Sequence, residues 1–388
     1  MAADLALVPL FCALYFLDVV NKIGIDMDYY RSWDVPRGLL PSAGRENLEN
    51  MTKGDDLLGK DQWNAGTLLS LSGGYWRTCA LHAGVHLRLF SMIGDHGLTA
   101  DDIAKRLEAP SRGVEMLLNA LCALGLLGKE KDLYANTRES ATFLVEESQG
   151  YIGHIITHHF HLVPAWCRLP QAVMTGKPVR QRSSFGEAEE REGFLMGMYN
   201  LAMQIAPGLS KEIDLRGRHH LLDLGGGPGS YAIHFCLANP HLRATVYDLP
   251  TTEPFAAKMI ERFGLSHRID FRAGNYVDEE IKGAYDVAWL SHVLHGEGPE
   301  DCERILMNVA STMENGGLIV IHDFILDDSF DAPLFPALFS LNMLINTEKG
   351  QSYTEGQLRD MLEKAGVKEI QRLAFRGPND SGIVSGVV

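Results

Sequence analysis

Two hydrophobic periods divide the chain. From Ala65 to about Val145, apolar residues recur every three to four positions, which predicts amphipathic helices, with Thr99 as the N-cap of one of them. From Leu221 onward, short apolar runs alternate with helical stretches, a pattern typical of a parallel α/β sheet. We therefore expect a mainly α N-terminal domain over 63–175 and an α/β domain over 176–388.

A winged-helix unit is predicted within the helical domain. The helix that Thr99 caps is followed by a second helix over Gly113–Leu127 and then by a short β wing. The second helix carries one charged side chain, Glu115, and is otherwise apolar. A DNA-reading helix needs Lys and Arg, so we expect no nucleic-acid binding and predict that this face forms a homodimer.

The first 62 residues are expected to form an extension of unknown role. Leu5–Leu17 is apolar but shorter than the roughly 20 residues of a membrane span, which favours a buried or dimer-swapped helix over a membrane-associating one. Residues 21–62 are rich in turn-forming and charged residues, and we assign no function to them.

Composition narrows the function further. The 388 residues are 46% hydrophobic and 22% charged, as in globular proteins, and the formal net charge is −15. This charge disfavours nucleic-acid partners and leaves a small molecule as the expected ligand. The six cysteines contain no CxxC pair, which predicts reduced thiols in a cytoplasmic protein.

Histidines crowd a helical connector that follows the winged-helix unit, where His154 and His158 lie one helical turn apart. This spacing suggests a metal site. No Cys or acidic ligand accompanies them at metal spacing, so an aromatic-rich helix lining a cavity is favoured and no metal is assigned.

A glycine loop follows the first strand of the α/β domain. The strand ends at Asp223, and Gly225, Gly227 and Gly229 then precede a helix that continues through Phe235. Glycines let the backbone turn sharply and approach a ligand, with the N-terminus of the following helix aimed at it. A nucleotide-type cofactor is implied.

The next two strands end in polar residues at the same edge of the predicted sheet. One ends at Asp248 and Leu249, where a carboxylate is placed to bind both ribose hydroxyls. The other ends at Asn275 and Tyr276, which are placed to contact adenine. The glycine loop, Asp248 and the polar residues Asn275 and Tyr276 occur in this order along the chain. Together they indicate a nucleotide-type cofactor site more strongly than the loop alone does.

This order of motifs resembles the class I S-adenosylmethionine-dependent methyltransferases and, more closely, the two-domain small-molecule O-methyltransferases, which include caffeate and hydroxyindole O-methyltransferases. The resemblance covers the chain from about Ala65 and implies a Rossmann-like domain, a winged-helix dimerisation domain and S-adenosylmethionine as cofactor. The stretches that carry it are LLDLGGGPGSYAIHF, VYDLP, AGNYV, DVAWLSHVLHGEGPEDCERIL, NGGLIVIHDFIL and KGQSYTEGQLRDMLEKAGV. The cofactor-binding residues it implies are Asp223, Gly225, Gly227, Gly229, Asp248, Leu249, Asn275, Tyr276 and Ser291.

Two later strand ends bring a histidine and a carboxylate toward the same crevice. His295 follows the fourth strand and Asp323 ends the fifth, and neighbouring parallel strands present their carboxyl ends together. An imidazole held by a carboxylate suits general-base catalysis. The resemblance implies that His295 is the catalytic base and that Asp323 orients it.

The chain departs from the plant members of that family at three places. Gly296 and Glu297 stand where those members have Asp-Trp, Ser352 stands where they have a second orienting glutamate, and Ser291 stands where a lysine often contacts the cofactor. Glu297 and Glu300 are expected to be solvated charges at a helix start. O-methylation of a hydroxyl remains the favoured reaction.

Two alternatives stay open. His292, His295, His322 and Asp323 together could hold a metal ion that assists C- or S-methylation, or the chain could be a non-catalytic ligand-binding homologue. The acceptor pocket is expected beside a helix above the sheet, and at least half of that helix face is expected to be core. The substrate-site residues predicted there and nearby are His161, Trp166, His292, Phe335, Phe339, Met343 and Asn346.

Overall fold

The computed structural model describes residues 63–388. The predicted Leu5–Leu17 helix and the extension over 21–62 lie outside these residues. Within the described chain, residues up to Thr78 belong to one compact unit and Cys79–Val388 form another. None of the helices within 63–388 combines the length and the apolar character that crossing a bilayer requires.

The first part of the described chain is mainly helical, as the 3.6-residue period predicts. Its helices are α1 (Ala65–Gly73), α2 (Tyr75–His86), α3 (Leu89–Ile93), α4 (Ala100–Leu107), α5 (Ser111–Ala123) and α6 (Arg138–Phe143). Its strands are β1 (Leu98–Thr99), β2 (Leu127–Glu130) and β3 (Leu133–Asn136), which form an antiparallel sheet in the order β1-β3-β2.

The predicted helix-turn-helix and wing are present. The Thr99 side chain caps α4 by accepting a hydrogen bond of 3.1 Å from the Asp102 backbone N–H. The second helix ends at Ala123, so its predicted end at Leu127 is wrong. The chain turns at Gly125 with a φ of +76°, and Leu127 then begins β2.

The apolar face of α5 is divided between core and surface. Val114, Leu118 and Leu121 are buried in the core of the winged-helix unit, so the expectation that the whole face awaits a partner is wrong for them. Met116 and Leu124 remain exposed, at 55% and 37%. Exposed apolar surface is therefore confined to part of this helix.

Three helices connect this unit to the α/β domain, and further helices pack on the sheet. The connecting helices are α7 (Gly153–Trp166), α8 (Leu169–Thr175) and α9 (Ala188–Glu212). The α/β domain contains β4 (His220–Leu224), α10 (Ser230–Ala238), β5 (Arg243–Asp248), α11 (Glu253–Arg262), β6 (Ile269–Ala273), β7 (Tyr285–Ser291), α12 (Pro299–Ser311), β8 (Met313–Phe324), α13 (Leu334–Asn346), α14 (Glu355–Lys364), β9 (Lys368–Arg372) and β10 (Ser381–Val387).

The strands of the α/β domain within the described chain form one sheet in the order β6-β5-β4-β7-β8-β10-β9. β10 runs antiparallel to both of its neighbours, whereas β4 to β8 are parallel. Each face of the sheet is covered by its own hydrophobic core. The strand order changes direction at β4, so ligands are expected at the carboxyl ends of β4 and β7.

Candidate active site

The loop after β4 has the backbone shape that its glycines permit. Gly225, Gly227 and Gly229 have φ values of +61°, +53° and +77°, a left-handed region that other residues adopt at a cost. A Cβ on Gly225 would lie 2.8 Å from the Val293 side chain, whereas a Cβ on Gly227 would meet open space. The loop is therefore packed on one side and open on the side where a ligand would approach.

Asp248 at the end of β5 holds this loop. Its carboxylate accepts hydrogen bonds from the backbone N–H of Gly227 at 2.8 Å, from that of Leu249 at 2.7 Å and from the Thr252 hydroxyl at 3.1 Å. Burial raises the pKa of Asp248, although these bonds oppose the rise. A carboxylate offers about four acceptor positions, so capacity remains for a ligand hydroxyl, and the residues fit the nucleoside end of S-adenosylmethionine.

Asp223 lies beneath the loop rather than in the crevice. Its Oδ2 accepts a 3.1 Å hydrogen bond from the backbone N–H of Ala232 in α10, and the side chain is fully buried. Burial raises the pKa of Asp223 to about 7, against the lowering effect of that bond. Asp223 therefore supports the start of α10 next to the loop, and its contact with the cofactor stays a prediction.

Two further predicted cofactor residues have protein partners. The Asn275 amide donates to Asp278 Oδ2 at 2.7 Å and its carbonyl accepts from the Val277 N–H at 3.1 Å. Ser291 Oγ lies 3.0 Å from His322 Nδ1. Both side chains thus hold the ends of their strands.

His295 and Asp323 meet as the sheet order predicts. His295 lies in a 3-10 turn over Leu294–Gly296 that follows β7, and Asp323 lies near the end of the adjacent β8. Asp323 Oδ1 is 2.6 Å from His295 Nδ1 and accepts from the Phe324 N–H at 2.8 Å, while Oδ2 accepts from the His295 N–H at 3.4 Å.

The charge of Asp323 determines how this pair can work. Burial alone would raise the pKa of Asp323, but the imidazoles of His295 and His292 outweigh burial and lower it well below the usual carboxyl range. The ionised carboxylate favours a proton on His295 Nδ1 and leaves Nε2 as the basic nitrogen. The pair has the arrangement of a general base with an orienting acid.

The metal hypothesis fails for His322. Its two ring nitrogens lie 3.0 Å from the hydroxyls of Ser291 and Ser381, and burial lowers its pKa well below the ordinary value. His292, His295 and Asp323 keep their candidate ligand atoms within 4.8 Å of one another. His292 has a left-handed backbone with a φ of +57°, and its Nδ1 lies 3.5 Å from Asp323 Oδ1.

Aromatic side chains border His295. The Phe339 ring on α13 lies edge-on to the imidazole, with centroids 4.8 Å apart, and 4.6 Å from the Phe324 ring. Phe335 lies one turn earlier on α13, 4.9 Å from the Phe324 ring. This aromatic wall contains Phe339 as predicted and adds Phe324, the residue after Asp323.

The other predicted substrate residues lie further along α13 and on α7. Trp166 Nε1 donates to Asn342 Oδ1 at 3.2 Å, and Asn346 Oδ1 accepts from Arg180 at 3.2 Å. Met343 is buried, in line with the expectation that part of this face is core. Asn342 is absent from the predicted set, although its position three residues after Phe339 on one helix face could have revealed it.

His161 and the other α7 histidines belong to an aromatic group. The His161 ring lies 5.8 Å from that of Phe160, and the buried His158 ring lies 5.3 Å from that of Phe194. Burial lowers the pKa of His158 to about 3. The helix is aromatic-rich, as the favoured interpretation predicts.

Glu297 is not a solvated helix-start charge, so that expectation is wrong. Its side chain is 14% exposed, and its Oε1 lies 2.6 Å from Arg182 Nη1. Arg182 lies 115 positions earlier in the chain. No sequence period connects the two residues, which is why sequence analysis misses the pair. Glu300 is exposed, as expected.

Comparisons with known proteins agree with this geometry. An O-methyltransferase domain model matches residues 176–368, and an O-methyltransferase dimerisation domain model matches residues 69–146. The 3-hydroxy-5-methyl-1-naphthoate 3-O-methyltransferase of Streptomyces sahachiroi is 32% identical over 326 residues, covering 82% of this chain and 94% of its own. The tetracenomycin polyketide synthesis 8-O-methyl transferase TcmO of Streptomyces glaucescens is 30% identical, covering 82% and 96%.

A solved structure of PigF with S-adenosylhomocysteine is similar along its whole length. It superposes with a TM-score of 0.77 at 27% identity and covers 84% of this chain and 100% of its own. The predicted fold class, the methyltransferase activity and the cofactor are confirmed by these matches. The chain belongs to the S-adenosylmethionine-dependent O-methyltransferase family.

Proposed function

We propose that this enzyme methylates a hydroxyl group of a small aromatic acceptor, with His295 as the general base and Asp323 as the residue that orients it. The observation that carries the proposal is the 2.6 Å contact between His295 Nδ1 and Asp323 Oδ1 beside the Phe339 ring. A base fixed in this way has one nitrogen free to accept a proton from an acceptor lying against the aromatic wall.

The protein's part in the reaction is alignment and proton transfer. When bound, S-adenosylmethionine supplies a sulfonium-activated methyl group whose C–S bond breaks as the acceptor's O–C bond forms. His295 Nε2 takes the hydroxyl proton, and the ionised Asp323 stabilises the resulting imidazolium. Gly225, Gly227 and Asp248 are placed to hold the cofactor so that acceptor and methyl are in line.

The aromatic wall beside His295 and the names of the similar enzymes together support an aromatic acceptor. Phe324, Phe335 and Phe339 offer ring faces and edges to a planar aromatic molecule. The two Streptomyces relatives are named for a hydroxynaphthoate and for tetracenomycin, which supports a hydroxylated polycyclic acceptor here.

Turnover of an acceptor panel tests this proposal. The purified enzyme is incubated with S-adenosylmethionine and hydroxynaphthoates, hydroxyanthraquinones, their methyl ethers and matched aromatic amines. We expect methyl ethers as products, and His295→Ala is expected to lower kcat by roughly 10²–10⁴-fold with little change in S-adenosylhomocysteine affinity. The exposed His267→Ala serves as the control. Carbon- or nitrogen-methylated products, or full activity of His295→Ala, would contradict the proposal.

We also propose that two copies of the chain pair through the dimerisation domain. This domain is proposed to cover 63–175, and the α/β domain is proposed to cover 176–388. For the location of the enzyme, the cysteine pattern supports the cytoplasm. Exposed apolar side chains in the N-terminal domain support a second copy as the partner: Leu68, Leu69, Leu71, Tyr75, Trp76 and Met116. Light scattering at micromolar concentration is expected to give twice the chain mass, and a stable monomer would refute the dimer.

A further inference from the structure

Arg182 reaches the turn that carries His295 from a distant part of the chain. It lies between α8 and α9, just before a 3-10 turn over Ser183–Phe185. Its Nη1 is 2.6 Å from Glu297 Oε1, and the side chains of Arg182 and Glu297 are 32% and 14% exposed. A partly buried, charge-assisted contact of this length is stronger than a surface ion pair.

The absence of a side chain at Gly296 allows the Arg182 guanidinium to lie against the turn over Leu294–Gly296. A Cβ at this position would overlap the Arg182 guanidinium. The turn is also closely packed against Gly350, where a Cβ would lie 2.5 Å from the His295 carbonyl oxygen. Two of the residues that depart from the plant pattern, Gly296 and Glu297, are therefore the ones that make room for Arg182 and bind it.

Other contacts fix the ends of the turn. The Tyr353 hydroxyl donates to the Glu297 carbonyl at 2.6 Å, and the Cys302 thiol donates to the Leu294 carbonyl at 3.2 Å. These bonds hold the backbone. The ion pair with Arg182 adds a contact to the Glu297 side chain.

Arg182 also contacts the cofactor side of the crevice. Tyr276 interacts electrostatically with its guanidinium, and a Cβ on Gly225 of the glycine loop would lie 3.5 Å from the Tyr276 ring. Burial would lower the pKa of Arg182, but Glu297 and Tyr276 outweigh burial and raise it, so the charge is retained. One guanidinium thus joins the turn of the proposed base to a residue beside the loop.

We propose that Arg182 is a positioning residue for His295. Its ion pair with Glu297 fixes the turn over Leu294–Gly296. The His295 imidazole thereby keeps its hydrogen bond to Asp323 and its position relative to the glycine loop. This inference rests on the proposed role of His295 as the base.

Three variants and one control test the inference in the full chain. Arg182→Gln removes the charge, Arg182→Lys keeps it, and Gly296→Ala displaces the guanidinium without altering the arginine. Arg216→Gln is the control, because Arg216 is 88% exposed and pairs with Asp214 away from the crevice. Each variant is measured by amide hydrogen exchange over 292–297, thermal unfolding, S-adenosylhomocysteine calorimetry, and kcat and KM with the fastest acceptor of the panel.

Arg182→Gln and Gly296→Ala are expected to speed exchange over 292–297 and to lower kcat by about 10- to 150-fold, as the loss of one charged hydrogen bond implies. KM and S-adenosylhomocysteine affinity are expected to change less than about threefold. Arg182→Lys is expected to restore kcat to within about threefold of the wild type, because the lysine ammonium keeps a positive charge beside Glu297.

The outcomes separate this inference from the proposed function. Unchanged exchange together with unchanged kcat overturns it. A loss of S-adenosylhomocysteine affinity with kcat retained also overturns it, because Arg182 then acts on the cofactor. If no acceptor is methylated, the proposed function fails, and exchange over 292–297 still decides whether Arg182 holds the turn. If Arg182→Gln does not fold, Arg182→Lys and Gly296→Ala supply the comparison.

Discussion

Replacement of Asp323 by asparagine tests the orienting role most directly. The carboxylate of Asp323 accepts from His295 Nδ1 at 2.6 Å, from the Phe324 N–H at 2.8 Å and from the His295 N–H at 3.4 Å. Asn has nearly the same shape but a single acceptor oxygen and no charge. The substitution therefore removes the ionised acceptor while it preserves the volume of the side chain.

The size of the effect follows from the contact that is lost. A hydrogen bond to a charged group contributes about 1.5–3 kcal/mol, and each 1.36 kcal/mol changes a rate about tenfold. Asp323→Asn is therefore expected to lower kcat by about 10- to 150-fold. This loss is smaller than that of His295→Ala, because the imidazole is still present but is no longer held in one tautomer and orientation.

The assay is kcat at saturating acceptor, with S-adenosylhomocysteine affinity measured in parallel by calorimetry. The affinity is expected to remain near that of the wild type, since Asp323 is placed to act on the acceptor's proton through His295. Asp360→Asn, an exposed substitution on α14, controls for the loss of a carboxylate elsewhere. A kcat within twofold of the wild type would show that Asp323 does not orient the base.

Three further predictions address the cofactor, the metal and acid stability. Asp248→Ala is expected to weaken S-adenosylhomocysteine binding by at least about tenfold in calorimetry, because a charged acceptor is lost; unchanged affinity would remove Asp248 from the site. Metal analysis of the purified enzyme is expected to find far less than one iron or zinc per chain, and His292→Ala is expected to cost less kcat than His295→Ala. Stoichiometric metal with equal losses would favour the metal hypothesis. The pKa of His158 is lowered by burial to about 3, so the unfolded chain binds a proton below its ordinary value of about 6.5 while the folded chain does not. The free energy of unfolding should therefore fall between pH 6.5 and 3 by up to about 1.4 kcal/mol per unit, and urea titrations of His158→Phe should show a shallower fall; equal slopes would contradict this.

Sequence patterns predict the parts of the site that depend on strand ends. The glycine loop, Asp248, His295 and Asp323 all follow from where apolar runs stop, because parallel strands bring their carboxyl ends together. The metal hypothesis is wrong for His322, and the alternation of side chains along a strand indicates this from the sequence alone. Adjacent residues of a strand point to opposite faces of the sheet, so His322 and Asp323 do not share a site.

The missed contacts depend on three-dimensional packing that no local pattern encodes. Glu297 follows a turn and precedes a helix, which is typical of a solvated charge, and only the fold brings Arg182 to it across 115 residues. The sequence pattern places the end of α5 too late, because its apolar run continues into β2 at Leu127 and periodicity alone does not mark the change from helix to strand.

The position of β10 has a consequence for how the enzyme is made. β10 pairs with β8 from Ser381 opposite Phe324 to Val387 opposite Leu318, with Gly382 opposite Asp323, yet it follows the other six strands of this sheet along the described chain. During synthesis β8 is therefore the open edge of the nascent sheet, with unpaired backbone groups on the strand that carries Asp323. Such edges pair readily with other chains. Loss of β10 by truncation would therefore be expected to produce aggregated protein rather than a soluble inactive enzyme.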